Sequence, residues 1–197
     1  MPGALRLILG SASPRRRDLL AQIGVIPDEI RAADIDECPN AAELPRRYVE
    51  RMAREKCLAF PAEDGVFILT ADTVVSAGRR ILGKPADPDE ARRFLSLLSG
   101  RRHRVTTSVC LAAGKAMRQK TVETRVRFKR LSEREIADYL ASGEWRGKAG
   151  GYAIQGIAGA FIPSITGSYS NVVGLPLTET AGLLSGMGFA VSYRGAE

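Results

Sequence analysis

The sequence predicts a mixed α/β fold, a twisted sheet flanked by helices, in one domain over residues 1–197. Three observations predict it. Apolar runs of strand length and high β-propensity alternate with segments whose apolar residues recur at 3.6-residue spacing. The helical segments carry start and stop signals at their ends. The chain has 197 residues, 45% hydrophobic and 26% charged, which is the size and balance of one soluble globular domain.

The elements follow in order. Leu5–Leu9 is a buried strand ended by Gly10. Ser13-Pro14 opens a helix, Ser as cap and Pro at the first helical position; Leu19, Leu20 and Ile23 are its apolar face. A polar loop with Asp34, Asp36 and Glu37 precedes a second helix from Pro45 to Phe60, striped by Val49, Met52, Ala53 and Cys57 and stopped by Pro61. Val66–Ser76 is a strand, and Ile81-Leu82 a short return strand ending at Gly83-Lys84-Pro85. Asp87-Pro88-Asp89-Glu90 starts a helix that Gly100 terminates. His103–Ala113 and Thr121–Phe128 alternate as half-buried strands. Ser132-x-x-Glu135 is a capping box for a helix to Ser142. Residues 147–174 are Gly-rich, a closely packed or functional loop region with short strands. Pro176–Gly186 is the last helix and Phe189–Tyr193 a terminal strand.

Composition excludes several classes. No stretch approaches the ~18 apolar residues of a bilayer span, and the N-terminal segment is no secretory signal. Cys38, Cys57 and Cys110 lack CxxC spacing, so neither a zinc site nor a disulfide framework is expected, and a cytoplasmic location fits. The net charge of +7 calls for an anionic partner. The basic residues fall in separate elements with no nucleic-acid reader motif, which favours nucleotide phosphates over nucleic acid.

Six constellations can carry chemistry. The strand–GSASPRRR–helix junction offers free N–H groups and a positive dipole end to a phosphate; Arg15 and Arg16 oppose that dipole unless an anion is present, or they are a basic surface turn. It is no P-loop. Asp72 interrupts an apolar strand, where an unpaired carboxylate is costly: it needs a cation, donors or a metal, or else it is a turn former. Lys84 is returned toward Asp72 by the hairpin, or is a solvated turn lysine. Lys56 lies on the buried stripe of its helix, and either snorkels or holds a phosphate. Glu37, with Asp34 and Asp36, either ligates Mg²⁺ together with phosphates or is solvated. Gln155, in GGYAIQG, can read a base edge or end a tight turn. His103, the only histidine, lacks a GxSxG partner and is structural.

LILGSASPRRRDLL, AREK, ADTVV, LGKP, LSGRRHRVTTSV, KAGGYAIQG and GSYSNVVGLPLTET, in this order and spacing, resemble the Maf family of nucleotide pyrophosphatases from Leu7 to about Leu184. The resemblance implies a fold similar to inosine triphosphate pyrophosphatases, with two lobes around a cleft. It implies cleavage between the α- and β-phosphates, a divalent cation (Mg²⁺ or Mn²⁺) and a homodimer. By matching position it makes Asp72 the proton acceptor and Ser11, Arg15, Arg16, Lys56 and Lys84 the triphosphate-binding set, Lys84 with a catalytic part. Glu37 and Asp72 become the metal-side acids, and Arg15, Thr73 and Gln155 the specificity positions. The AIQG form resembles the subfamily acting on dTTP and UTP, with modified pyrimidine nucleotides as further substrates. The alternatives are a 7-methyl-GTP or non-standard purine substrate and, in another class, a nucleic-acid-binding division regulator. Gly10 stands where the family often has Ala, a conservative change in a loop.

Overall fold

The computed structural model describes residues 5–193. Its elements are β1 (Arg6–Leu9), α1 (Pro14–Gln22), β2 (Glu29–Ile30), α2 (Pro45–Leu58), β3 (Val66–Ala77), β4 (Arg80–Leu82), α3 (Pro88–Leu98), β5 (Arg102–Ala113) and β6 (Ala116–Arg127). Then come α4 (Glu133–Ser142), 3₁₀ turns at Ala149–Gly151 and Ile157–Phe161, β7 (Ser164–Thr166), α5 (Tyr169–Val173) and α6 (Leu177–Gly186). The strands form a seven-stranded mixed sheet in the order β2-β1-β3-β5-β6-β7, with β4 on β3. β1 runs parallel to both β2 and β3, while β4 and β7 pair antiparallel with β3 and β6. This is the mixed α/β architecture that the alternating periodicities predict.

The chain divides into two compact units. Unit 1 comprises residues 1–72, 107–122 and 174–197; unit 2 comprises 73–106 and 123–173. In unit 1, the parallel pair β1–β3 places Leu7, Ile8 and Leu9 opposite Phe67, Ile68 and Leu69, all buried. The stripe of α2 packs there, with Ala53 and Cys57 joining Ile8, Phe60, Ile68 and Cys110. In unit 2, Ala91, Phe94, Leu95 and Leu98 of α3 meet Val105, Val126, Phe128, Ile136 and Tyr139. All of the net charge of +7 falls in unit 2; basic and acidic residues balance in unit 1.

Local signals act as expected at α3 and α4. The Asp87 carboxylate accepts from the Glu90 N–H at 2.7 Å, and Ser132 and Glu135 close a reciprocal capping box. Gly143 ends α4 in the left-handed conformation. Ser13 precedes α1 but its side chain makes no cap bond; Ser11 Oγ accepts from the Ser13 N–H instead, at 3.3 Å. Phe189–Tyr193 is not a strand. The Phe189 N–H is taken by the Leu184 carbonyl at 2.9 Å, closing the end of α6, and its ring packs edge-on against Phe67. That local closure overrides the β-propensity of the segment.

Candidate active site

Six of the predicted residues converge in unit 1. The strand β3 carries Asp72 in its middle, and the last turn of α2 carries Lys56. Lys56 does not snorkel to solvent. Its ammonium donates to Asp72 Oδ1 at 2.7 Å and lies 2.9 Å from Glu37 Oε1. The Lys56 and Asp72 side chains are each only 10% exposed, so each charge requires the other. Glu37 reaches them from the irregular segment after β2, as the outermost member of the trio. Asp72 Oδ2 accepts no hydrogen bond among the described residues, so lone pairs remain there for a water.

The junction of β1 and α1 supplies the cations. Arg16 is held from two sides: its Nε donates to the Gly174 carbonyl and its Nη1 to Ser11 Oγ, both at 2.9 Å. Burial lowers the Arg16 pKa; the Asp72 and Glu37 carboxylates oppose that shift and the neighbouring Arg15 adds to it. Arg16 therefore lies within electrostatic reach of Asp72, Glu37 and Arg15. Arg15 is also pulled down by burial, and it makes no hydrogen bond or ion pair among the described residues. Ser11 is buried. Its oxygen accepts from Arg16 and from the Ser13 N–H, which leaves its hydroxyl proton to donate. The phenol of Tyr48 feels the same acids: burial first, then Asp72 and Glu37, push it up to about 12.

Lys84, Thr73 and Gln155 belong to unit 2. Lys84 is exposed and makes no hydrogen bond or ion pair among the described residues. Its loop is anchored by the Gly83 carbonyl, which accepts from the Gly150 N–H at 2.9 Å. Gly150 is needed there: its φ is +70° and a Cβ would stand 2.8 Å from Val75 Cγ1. Thr73 follows Asp72 on β3, half-buried. Gln155 is exposed, beyond Tyr152 and Ala153, whose own positions are fixed. Tyr152 Oη and His103 Nε2 are 2.7 Å apart, and the Ala153 N–H donates to Tyr139 Oη at 3.2 Å. His103 is a buried structural residue whose pKa burial lowers to about 4.

Glu37 and Asp72 are hard oxygen donors already turned toward one cation, a set suited to Mg²⁺ or Mn²⁺. Among the described residues there is no cluster of three or more metal-binding side chains. A divalent ion bound by this pair would therefore draw its remaining ligands from water and substrate phosphates, as small hard ions commonly do.

The order of these parts along the chain has a match. The family described as Maf-like protein matches residues 6–187. The chain belongs to the Maf family. It is 58% identical over 192 residues to a dTTP/UTP pyrophosphatase of Cereibacter sphaeroides, covering 98% of this chain and 100% of that protein. It is 57% identical over 201 residues to one of Rhodopseudomonas palustris, covering 98% and 97%. A third, of Roseobacter denitrificans, is 58% identical over 189 residues, covering 96% and 98%. Among solved structures, a HAM1 protein from Coxiella burnetii aligns with a TM-score of 0.43 at 15% identity, over 64% of this chain and 74% of that one.

Within the Maf family pattern, Gly10 is more than a loop exchange. It is buried, its N–H donates to the Leu69 carbonyl at 2.8 Å, and a Cβ there would lie 2.6 Å from Thr70 Cγ2 and 2.9 Å from Phe60 Cε2. In this Maf chain an Ala at this position must push Thr70 or Phe60 aside. Tyr48 and Arg51 of α2, which bond to the segment that carries Glu37, drew no notice in the sequence. Only the Arg51–Glu55 spacing of four is visible in sequence; the contacts to residues 37, 38 and 43 arise from the loop's path.

Proposed function

We propose that this chain is a nucleoside triphosphate pyrophosphatase that hydrolyses dTTP and UTP to the monophosphate and pyrophosphate, with a divalent cation. The observation that carries the reading is the Glu37–Lys56–Asp72 trio, with Arg16, bonded to Ser11, within electrostatic reach of Asp72, Glu37 and Arg15. It combines a proton acceptor with fixed positive charge, which are the two things this hydrolysis requires. The names of the relatives at 55–58% identity support both the reaction and the pyrimidine substrates.

In the proposed mechanism Asp72 Oδ2 orients a water and takes its proton as the oxygen attacks the α-phosphorus. The α–β bridging bond breaks and pyrophosphate leaves with the charge. Arg15, the Ser11 hydroxyl and the free N–H groups of α1 meet the phosphates, and Arg16 adds positive field without moving, because two acceptors fix it. Lys84 is a further cation for the β- and γ-phosphates. Lys56 holds Asp72 in place. Glu37 and Asp72 would hold Mg²⁺ or Mn²⁺, which would supply Lewis-acid charge neutralisation when bound. Arg15, Thr73 and Gln155 are the positions from which the base is selected. A cytoplasmic location and a homodimer complete the proposal.

The test is product analysis over dTTP, UTP, CTP, GTP and 7-methyl-GTP with Mg²⁺ or Mn²⁺. Pyrophosphate plus dTMP or UMP is expected, with the other nucleotides slower. Release of inorganic phosphate, or preference for 7-methyl-GTP, contradicts the proposal.

A further inference from the structure

Glu37 belongs to a segment without helix or strand between β2 and α2, yet its carboxylate meets Lys56 at 2.9 Å. Fixing each residue of such a segment costs about 1–2 kcal/mol of backbone entropy, so something must hold it. Two side chains of α2 do. The Tyr48 hydroxyl donates to the Glu37 carbonyl at 3.0 Å. The Arg51 guanidinium does more. Its Nη2 donates to the Cys38 carbonyl at 3.0 Å, and its Nε and Nη2 fork onto the Glu43 carboxylate at 2.8 and 2.7 Å. Its Nη1 reaches Glu55 at 3.2 Å. Glu43, only 9% exposed, in turn accepts from the Asn40 N–H at 2.9 Å, and Cys38 N–H donates to Asp36 at 2.9 Å.

Arg51 makes no bond to the carboxylate of Glu37, to Lys56 or to Asp72. With Nε, Nη1 and Nη2 all engaged it is also poorly placed to take a phosphate, unlike Arg15. Resting on the pyrophosphatase reading of this site, we propose that Arg51 is a positioning residue: by clamping Cys38 and Glu43 it sets the Glu37 carboxylate against Lys56 and Asp72. The fork requires a planar guanidinium. A lysine would offer one point charge and could not hold both anchors.

The experiment uses the full chain with Arg51→Ala and Arg51→Lys, each alone and combined with Glu37→Gln. Pyrophosphate release from dTTP is followed against Mn²⁺ concentration, and Mn²⁺ binding without nucleotide is followed by electron paramagnetic resonance. Arg51→Ala is expected to lower kcat and weaken Mn²⁺ binding by about 10–100-fold, the usual effect of losing an outer-sphere support. KM for dTTP should change little, and Arg51→Lys should recover only part of the loss. In the Glu37→Gln background the Arg51 substitutions should add nothing. Wild-type kcat and Mn²⁺ affinity in Arg51→Ala would overturn the proposal, as would an equal loss with and without Glu37. If Arg51→Ala does not fold, Glu43→Gln cuts the same fork and is read the same way. A wild-type chain that releases no pyrophosphate, but whose Mn²⁺ affinity still falls on Arg51→Ala, would sink the pyrophosphatase reading and leave Arg51 as the support of Glu37.

Discussion

Replacing Asp72 by Asn separates its proposed proton-accepting role from the architecture around it. The Asn carbonyl can take the place of Oδ1 and still accept from Lys56, now 2.7 Å away, and the contact of Lys56 with Glu37 at 2.9 Å remains. What disappears is one negative charge and the acceptor at Oδ2. Weakening a charge-assisted hydrogen bond between side chains that are 10% exposed costs about 1–3 kcal/mol of stability, so the variant should fold with a lowered melting temperature. Loss of a general base lowers rates by about 10²–10⁴, which corresponds to about 3–5 kcal/mol in the barrier. The assay is steady-state pyrophosphate release from dTTP with saturating Mg²⁺, alongside dTMP binding by calorimetry. A kcat lowered by at least about 10²-fold, with dTMP affinity kept within a few-fold, is expected. A kcat within about tenfold of wild type would remove Asp72 from proton transfer, because water activation would then lie elsewhere.

Other expectations follow from the same geometry. Lys84→Ala should raise KM and lower kcat together, because its ammonium has no partner among the described residues and is proposed to meet the phosphates; unchanged kinetics would mark a solvated turn lysine. Gly10→Ala should destabilise the fold by about 1–3 kcal/mol, the range for overpacking, because its Cβ would meet Thr70 Cγ2 at 2.6 Å. Thr70→Ser should relieve part of that in thermal melts, while an unchanged melting temperature in Gly10→Ala would show that the neighbours yield freely. His103 has its pKa depressed from 6.5 to about 4 by burial, so the unfolded chain binds the extra proton first. Stability should therefore be full above the unfolded value and decline as pH falls from about 6.5 toward 4, by about 2 kcal/mol at pH 5. Urea midpoints at pH 7 and 5 should converge in His103→Gln, and an equal pH slope in that variant would exclude His103 as the source.

The elements with periodic apolar faces and end signals were legible from residues alone. The stripe of α2 and the Asp87 and Ser132 starts of α3 and α4 appear where spacing places them, because local and tertiary preferences agree there. β2 was not legible: its two residues become a strand only by pairing with Ile8 and Leu9. β6 begins at Ala116, before its alternating core-facing residues. At the site, the anomaly of an acid inside an apolar strand pointed to Asp72, because it violates the burial rule unless paired; a lysine on the buried stripe of α2 left snorkelling open for Lys56, and its role came from the family resemblance. The pairing itself was hidden: Lys56, Glu37 and Asp72 lie on three separate segments, and only their packing reveals one ammonium shared by two acids. Arg51 carries no such signal, since its main partner, Glu43, precedes the helix.

The crowding around Gly10 has a historical consequence. The methyl of Thr70, held by the hydroxyl bond to the Ala53 carbonyl at 2.7 Å, and the ring of Phe60 fill the volume that a larger residue would occupy. A lineage that acquires those two side chains after losing the methyl group at position 10 has made the route back costly. Restoring alanine is then eased by a prior change at Thr70 or Phe60, so the order in which substitutions accumulate is biased at the very turn that leads the chain into α1.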